Sequence, residues 1–236
     1  MPRNQQLLEE LLDKLGTPGI DQGLIWQALT HSSYANEESV LHNERLEFLG
    51  DAVLELLTSQ YLYERYPTFS EGELTRLRAN LVCEPTLAEI ALELGLGDLL
   101  LLGKSQLFTG GQHRPSLLAD AVEALLGAVY IWAGLPMAEV VYERLFQQPI
   151  LALERGELWQ DYKTRLQELA QKQRPGEALL YQVVSEAGPD HDKTFFVALA
   201  CAGRVIGRGK GRSKKEAEQM AAKEALRIHF SDSGIV

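Results

Sequence analysis

The sequence Asn43-Glu-Arg-Leu-Glu-Phe-Leu-Gly-Asp51 gives a strong local indication of helix in the N-terminal part of this chain. Asparagine is among the residue types preferred at a helix N-cap, and the leucines that follow Asn43 recur at helical spacing. Glu44, Glu47 and Asp51 stand at positions i, i+3 and i+7, so a helix places all three carboxylates on one face. Like charges at such spacings destabilise a helix by about 0.2–0.5 kcal/mol per pair. The sequence therefore predicts a helix whose acidic face binds a partner, which offsets the repulsion between the carboxylates.

A second acidic pair lies within the apolar stretch Leu117–Leu126. Asp120 and Glu123 are three positions apart, so they also share one helix face. Carboxylates in apolar surroundings are costly unless they are paired or bind a metal. Five carboxylates on two helices suit hard divalent cations, since Mg²⁺ and Mn²⁺ prefer oxygen ligands. Two such ions about 4 Å apart can hold the attacking and leaving oxygens of a phosphodiester. The two stretches together predict a Mg²⁺ site.

Other site chemistries lack the residues that they need. A di-iron bundle requires Glu-x-x-His motifs, whereas the partner of Asp120 is Glu123. The five histidines form no His-x-x-x-His pair, and no Gly-x-Ser-x-Gly motif occurs. Gly103-Lys-Ser resembles the end of a phosphate-binding loop, but that motif needs a glycine where Asp98 stands. These absences leave the carboxylates as the candidate site.

Length and composition indicate an ordinary globular protein. The chain has 236 residues, of which 45% are hydrophobic and 24% charged, which suits one or two domains. Two distant cysteines exclude a disulfide framework or a cysteine zinc site and favour a reducing compartment. No secretory signal begins the sequence. The longest uncharged apolar run, 124–138, has 15 residues, short of the roughly 18 that a membrane span needs. We therefore expect a cytoplasmic protein with no membrane contact.

The net charge of −10 is unevenly distributed along the chain. Residues 1–160 hold 10 Lys+Arg and 23 Asp+Glu, whereas residues 161–236 hold 13 Lys+Arg and 10 Asp+Glu. Such a shift indicates two modules with different partners. Helical periodicity broken by Pro and Gly predicts an all-α first domain. The predicted boundaries are an all-α domain at 1–153, a linker at 154–159, a second domain at 160–230 and a C-terminal tail at 231–236.

The second domain has a different pattern. The alternation of apolar residues predicts strands, and alanine-rich or amphipathic stretches predict helices. The predicted elements are a helix at 160–173, strands at 178–186, 193–202 and 204–210, and a helix at 214–229. This order predicts a small α+β domain in which two helices cover one face of an antiparallel sheet.

The second domain has features of an RNA-binding surface. Ser213 and Glu216 predict a capping box, so Lys214 and Lys215 occupy the first two positions of a helix. Lysines are disfavoured there by the helix dipole. Together with the free backbone N–H groups, however, they form an anion site. This arrangement predicts a phosphate-bearing partner.

Neutral polar residues of the same domain suit the remaining contacts with RNA. Thr164, Gln167 and Gln171 share one face of the predicted first helix, with Glu168 beside them. Such groups fit the 2′-hydroxyls and base edges of a shallow RNA minor groove. His191 lies in the turn between the first two strands, from which it would reach a second minor groove.

These motifs resemble those of the bacterial ribonuclease III family, which are double-stranded-RNA endonucleases. Asn43–Asp51 resembles the family signature without a gap, and Leu118–Leu125 resembles its second acidic motif. Gly188-Pro-x-His191 and Lys214-Lys-x-Ala-Glu218 resemble the double-stranded-RNA-binding domain. The resemblance implies an all-α endonuclease domain followed by a small α-β-β-β-α double-stranded-RNA-binding domain.

The resemblance also implies roles for individual acids. In the family, four acids bind the catalytic Mg²⁺, for which Mn²⁺ would substitute. These acids match Glu47, Asp51, Asp120 and Glu123 of this chain. Asp51 and Glu123 match the two that are most essential for catalysis, and Glu44 matches an auxiliary acid. Glu71 matches a further acid that helps cleavage, with Glu73 as a neighbouring alternative. The family's RNA contacts match Thr164, Gln167, Glu168, His191, Lys214 and Lys215.

The resemblance further implies a homodimer formed through the endonuclease domain, with no organic cofactor. Each subunit would cut one strand, leaving 5′-phosphate and 3′-hydroxyl ends with short 3′ overhangs, in the processing of ribosomal, messenger or small RNAs.

Gly50 within the signature helix costs about 1 kcal/mol relative to alanine. Close approach of another helix explains it, either from the same subunit or from the partner.

A second hypothesis is a double-stranded-RNA-binding regulator with no catalytic activity. The complete carboxylate set argues against it, because a pure binder has no reason to keep mutually repelling acids.

Overall fold

The computed structural model describes residues 2–155, 162–188 and 193–230. The chain divides into two compact units, Met1–Leu153 and Glu154–Val236. The predicted linker and tail fall largely outside the described residues, so their boundaries stay predictions.

The first unit is helical, as predicted. Short 3₁₀ helices at Leu96–Asp98 and Gly111–His113 join some of its elements. The helices are α1 (Pro2–Leu15), α2 (Gln22–Ala28), α3 (Ser32–Glu38), α4 (Glu44–Arg65), α5 (Glu71–Leu81), α6 (Glu84–Leu94), α7 (Lys104–Phe108) and α8 (Pro115–Glu154).

The long helix α8 supplies much of the core of this unit. Its buried side chains include Leu118, Val122, Leu125 and Val129, which belong to one apolar cluster with side chains of α1, α2, α4 and α6. Gly134 has φ 75° and breaks the helical geometry, which a residue without Cβ adopts readily. By length and composition alone α8 would also pass for a membrane span, with 44% of its apolar window buried inside the protein. The uncharged run noted in the sequence is therefore part of a longer core helix.

Helices α4 and α8 touch backbone to backbone. A Cβ on Gly50 would overlap the carbonyl oxygen of Glu123 and lie 2.9 Å from the Gly127 nitrogen. A Cβ on Gly127 would overlap the carbonyl oxygen of Leu46. The glycine in the signature helix is thus explained by close packing within one subunit, which decides between the two alternatives left by the sequence.

Asn43 stands at the N-cap of α4, as predicted, but its side chain does not cap the helix. The residue is buried, and its backbone N–H donates to the Thr30 carbonyl at 2.9 Å. This bond ties the start of α4 to the segment that precedes α3.

The second unit has the predicted α-β-β-β-α order. Its sheet is antiparallel with the order β1-β2-β3, and α10 packs on β2 and β3 while α9 packs against α10. Glycines alternate along β3 where α10 lies closest; a Cβ on Gly207 or Gly209 would overlap carbonyl oxygens of that helix. The elements are α9 (Tyr162–Gln173), β1 (Leu179–Ala187), β2 (Thr194–Cys201), β3 (Arg204–Gly211) and α10 (Lys214–His229).

Candidate metal centre and nucleic-acid interface

Three carboxylates meet where α4 crosses α8. The side-chain oxygens of Glu47, Asp120 and Glu123 lie within 4.8 Å of one another, and all three residues are half-buried. Gly50 and Gly127 permit this meeting, because they let the two helix backbones approach closely. The structure therefore brings together three of the five acids that the sequence singled out on these two helices.

The other two acids of α4 lie outside this three-carboxylate group. Glu44 and Asp51 are exposed, and Oε2 of Glu44 lies 3.7 Å from Nδ1 of His42. Seven residues of helix span about 10 Å along the axis, so acids at i and i+7 share a face without sharing one compact group. Asp51 still acts on the group through its charge, since it raises the pKa of both Glu47 and Glu123.

The three carboxylates destabilise one another's charged forms. Burial raises the pKa of Glu123 to about 7, and the charges of Asp51, Glu47 and Asp120 add to this effect. Burial also raises the pKa of Glu47, followed by the charges of Asp120, Glu44 and Asp51. The pKa of Asp120 is raised chiefly by burial, against a lowering by His31.

A divalent cation fits this group. Among the residues that the structure describes, no lysine or arginine lies within 4.0 Å of the three carboxylates. Half-buried acids without a cationic partner are unfavourable, and an oxygen-only donor set is the kind that Mg²⁺ and Mn²⁺ prefer. Glu47, Asp120 and Glu123 could therefore hold such an ion.

Divalent-cation binding to the three-carboxylate group should weaken as the pH falls through about 7. Glu123, with its pKa raised to about 7, is ionised above that pH and protonated below it, so the cation must then displace a proton. The expected loss is up to about tenfold in affinity per pH unit below 7. Calorimetric titration with Mn²⁺ at pH 6, 7 and 8 measures it. Equal affinity at pH 6 and 8 would contradict the assignment of Glu123 as a ligand.

Glu71 stands apart from the three-carboxylate group. It is an exposed residue of the first turn of α5 and accepts a hydrogen bond from Thr75 Oγ1 at 3.0 Å. The neighbouring Glu73 is engaged in a capping box with Ser70, whose N–H donates to it at 2.7 Å. Of the two alternatives, the carboxylate of Glu73 is thus engaged in the helix cap, whereas that of Glu71 is not. Its role in cleavage stays a prediction.

Helix α10 begins with the two lysines, Lys214 and Lys215, that the sequence predicts as an anion site. Ser213 caps the helix, and its Oγ accepts the Glu216 N–H at 3.1 Å. The Glu216 carboxylate accepts from the Arg212 N–H at 2.7 Å rather than from that of Ser213, so the box closes one residue earlier than predicted. Lys214 and Lys215 are exposed in the first turn, beside backbone N–H groups that favour anions.

Helix α9 has one polar face and one apolar face. Gln167, Glu168 and Gln171 are exposed, Thr164 is half-buried, and Leu166 is among the buried residues that face the domain core. His191, the remaining predicted RNA contact, lies outside the described residues. The roles of all these side chains in RNA binding stay predictions.

Two histidines beside the centre were not singled out by the sequence as site residues. His42 lies next to Glu44. The charges of Asp120 and Glu44 act to raise the pKa of His31, and His31 acts to lower the pKa of Asp120. His42 is two residues from the acid it approaches, which was a usable local signal. His31 offers no such signal, because its electrostatic interaction with Asp120 depends on the tertiary fold.

Comparison with known proteins agrees with both units. The family described as Ribonuclease-III-like matches residues 21–150, and the Double-stranded RNA binding motif matches residues 162–229. Ribonuclease 3 of Pelotomaculum thermopropionicum is 52% identical over 229 residues, covering 96% of this chain and 95% of that protein. Ribonuclease 3 of Desulforamulus reducens is 47% identical over 237 residues, covering 99% and 96%.

A solved structure supports the first unit independently. The nuclease domain of ribonuclease III from Campylobacter jejuni is 41% identical, with a TM-score of 0.57, and covers 60% of this chain and 96% of that one. A helical nuclease domain joined to a double-stranded-RNA-binding domain defines an endoribonuclease that acts on double-stranded RNA. The chain belongs to the ribonuclease III family, whose members are metal-dependent.

Proposed function

We propose that this chain is a Mg²⁺-dependent endoribonuclease that hydrolyses double-stranded RNA to 5′-phosphate and 3′-hydroxyl ends with short 3′ overhangs. The observation that carries the proposal is the three-carboxylate group of Glu47, Asp120 and Glu123. Its donors are all oxygen, which favours Mg²⁺, with Mn²⁺ as a substitute.

Each acid has a proposed part in the reaction. Glu47, Asp51, Asp120 and Glu123 would hold the catalytic cations, and Glu44 would be an auxiliary acid at the exposed rim of the site. Divalent cations held there would supply Lewis-acid chemistry, lowering the pKa of a bound water and stabilising negative charge on a departing 3′-oxygen. The exposed Glu44 is available to orient solvent at the rim by accepting hydrogen bonds.

The second domain supplies the grip on RNA in this proposal. Residues 1–160 carry 23 acids against 10 bases, so that part of the chain repels a polyanion. The exposed lysines at the start of α10 and the polar face of α9 offer contacts to phosphates and to 2′-hydroxyls. Duplex binding should therefore weaken steeply with salt.

Replacing Lys214 and Lys215 by alanine should weaken duplex RNA binding about tenfold or more and reduce the slope of log K against log salt by roughly 2. Both side chains are exposed, so folding should be unaffected. Fluorescence anisotropy at several salt concentrations measures both effects. The matched control is Arg227→Ala, an exposed residue in the last turn of the same helix. Unchanged affinity of the double variant would remove the proposed phosphate site.

We also propose a homodimer formed through the first domain. Phe48 on α4 is 80% exposed and Phe108 on α7 is 93% exposed, so both aromatic side chains are available for association. The solved Campylobacter jejuni relative is described by a region involved in dimer formation of its nuclease domain. We therefore propose that this surface of the first domain contacts a second copy of the chain. Light scattering should give twice the chain mass of 26.3 kDa.

A gel assay on a long RNA duplex and on its separated strands, with Mg²⁺ or with EDTA, tests the proposed reaction. Cleavage of the duplex alone, only with Mg²⁺, is expected, and end-labelling should find 5′-phosphates and 3′-hydroxyls. Tight binding without cleavage under Mg²⁺ and Mn²⁺ would favour the non-catalytic regulator instead.

The proposed cellular setting is RNA processing in the cytoplasm. Base-paired segments of ribosomal precursors, messenger leaders and small-RNA duplexes present the required substrate. Cys83 and Cys201 are not joined in a disulfide, in keeping with a reducing compartment.

A further inference from the structure

Glu186, near the end of β1, pairs with two lysines and has no part in the function proposed above. Its Oε2 lies 3.9 Å from Lys193 Nζ, and its Oε1 lies 3.9 Å from Lys214 Nζ. Each carboxylate oxygen therefore faces a different ammonium group. Lys193 directly precedes β2, and Lys214 begins α10. One acid thus joins three elements of the second domain at the place where the sequence predicts an anion site.

The register of the sheet directs Glu186 toward the start of α10. Glu186 is the cross-strand partner of Phe195, and Phe195 in turn pairs with Gly211 on β3. Side chains of directly paired residues share one face of a sheet. An added Cβ on Gly211 would lie 2.7 Å from the Ala217 nitrogen, so this row of residues lies on the face that the first turns of α10 cover.

Lys214 is restrained by an aromatic ring as well as by the acid. Its Nζ lies 5.7 Å from the centroid of the Phe195 ring, within the roughly 6 Å over which an aromatic ring attracts a cation. Lys215, the next residue, has no acid within 4.0 Å among the residues that the structure describes. One lysine of the pair thus has its charge partly offset within the chain, whereas the other does not.

The two ion pairs are weak enough for a polyanion to displace them. The side chains of Glu186, Lys193 and Lys214 are 42%, 39% and 62% exposed, and ion pairs at such exposure contribute little to stability. An RNA phosphate that binds Lys214 carries charge of the same sign as the Glu186 carboxylate, so the two compete for one ammonium group. A carboxylate that stays beside the bound phosphate repels it. Binding therefore requires Glu186 to turn away from both lysines.

We propose that Glu186 is an internal competitor for the phosphates of duplex RNA. Its carboxylate pairs with Lys193 and Lys214 in the RNA-free protein and gives up both lysines when RNA binds, so Lys193 belongs to the same anion site as Lys214 and Lys215. The inference rests on the proposed function, which assigns Lys214 and Lys215 to phosphate binding. The competition lowers the affinity for duplex RNA and speeds the release of cut RNA, because affinity changes at one interface act mostly through the dissociation rate.

Replacing Glu186 by glutamine removes the charge of this side chain and keeps its shape. At 0.1 M salt, Glu186→Gln should bind a duplex about three- to tenfold more tightly. The fall of log K with log salt should steepen by roughly 1, because one more lysine charge is free to neutralise a phosphate. Lys193→Ala should weaken binding and reduce the same slope by roughly 1. Both variants should keep the Tm of the parent within about 2 °C.

The matched control is Glu177→Gln, which removes the same charge from an exposed acid just before β1. Nearly the whole length of β1 separates Glu177 from Glu186, and charges more than about 10 Å apart are largely screened at 0.1 M salt. Glutamine also keeps an acceptor for Cys201 Sγ, which donates to the Glu177 carboxylate. The control should bind duplex RNA as the parent does.

A second comparison places Glu186→Gln in a Lys193→Ala/Lys214→Ala background. The gain in affinity should disappear there, because the lysines that the carboxylate competes for are gone. Fluorescence anisotropy with one labelled duplex in EDTA, at several salt concentrations, measures every variant. A gain that persists in this background, or that Glu177→Gln shows equally, would mean general charge repulsion and would overturn the competition.

The outcomes distinguish this inference from the proposed function. Parent-like affinity in Glu186→Gln, together with weakened binding by Lys214→Ala/Lys215→Ala, would overturn this inference alone. Unchanged affinity in Lys214→Ala/Lys215→Ala would remove the proposed phosphate site and this inference with it.

Discussion

Replacing Glu123 by glutamine should lower the rate of duplex cleavage by about 10³-fold or more, which is about 4 kcal/mol of transition-state stabilisation, with the Kd for duplex RNA nearly unchanged. Glutamine keeps the size of the side chain but removes the negative charge from the three-carboxylate group. The lysine end of α10 lies in the other unit and is untouched. Single-turnover cleavage with Mg²⁺ and anisotropy in EDTA measure the two quantities separately.

The same variant has an opposite effect on the stability of the metal-free protein. Because the folded-state pKa of Glu123 is raised to about 7 above its unfolded value, the folded state binds more protons between these pH values. Stability therefore falls as the pH rises through this window. Glu123→Gln removes this term, so its metal-free form should melt about 2–4 °C higher than the parent at pH 8.

The matched control is Glu139→Gln, an exposed acid on the same helix beyond the Gly134 kink. It should leave cleavage, RNA binding and Tm at parent values. Near-parental cleavage by Glu123→Gln would show that the centre has been assigned to the wrong acids. A measured rise in Tm at pH 8 would exclude misfolding as the cause of lost cleavage.

Replacing Gly50 by alanine should destabilise the protein by about 3 kcal/mol or more and abolish cleavage. The added Cβ would overlap the backbone carbonyl of Glu123, and a helix backbone cannot move aside as a flexible side chain can. Separation of α4 from α8 would also carry Glu47 away from its two partners. Thermal melting should show a Tm at least about 6 °C lower.

Gly72→Ala provides the control, since it is another helical glycine with no heavy atom within 4 Å of its added Cβ. It should be stabilised by about 0.5–1 kcal/mol, because alanine is the better helix former. A Gly50→Ala protein as stable as the parent would mean that the two helices do not pack as closely as described.

Local patterns in the sequence determined most of the elements. Positions i, i+3 and i+7 place Glu44, Glu47 and Asp51 on one face because helical period is a local property. The alternation in β2 and the Ser213 cap of α10 follow from neighbours along the chain in the same way. The all-α domain and the α-β-β-β-α order could therefore be predicted without tertiary information.

Which of these residues come together depends on how the helices pack. Glu47, rather than Glu44 or Asp51, joins Asp120 and Glu123 because the α4–α8 crossing fixes the height at which the two helices touch. The electrostatic interaction of His31 with Asp120, which are distant in sequence, likewise depends on the tertiary fold. Such contacts depend on how whole elements pack, and helical period or capping preference carries no information about that. The sequence thus determined the list of acids, and packing selected the three that form one centre.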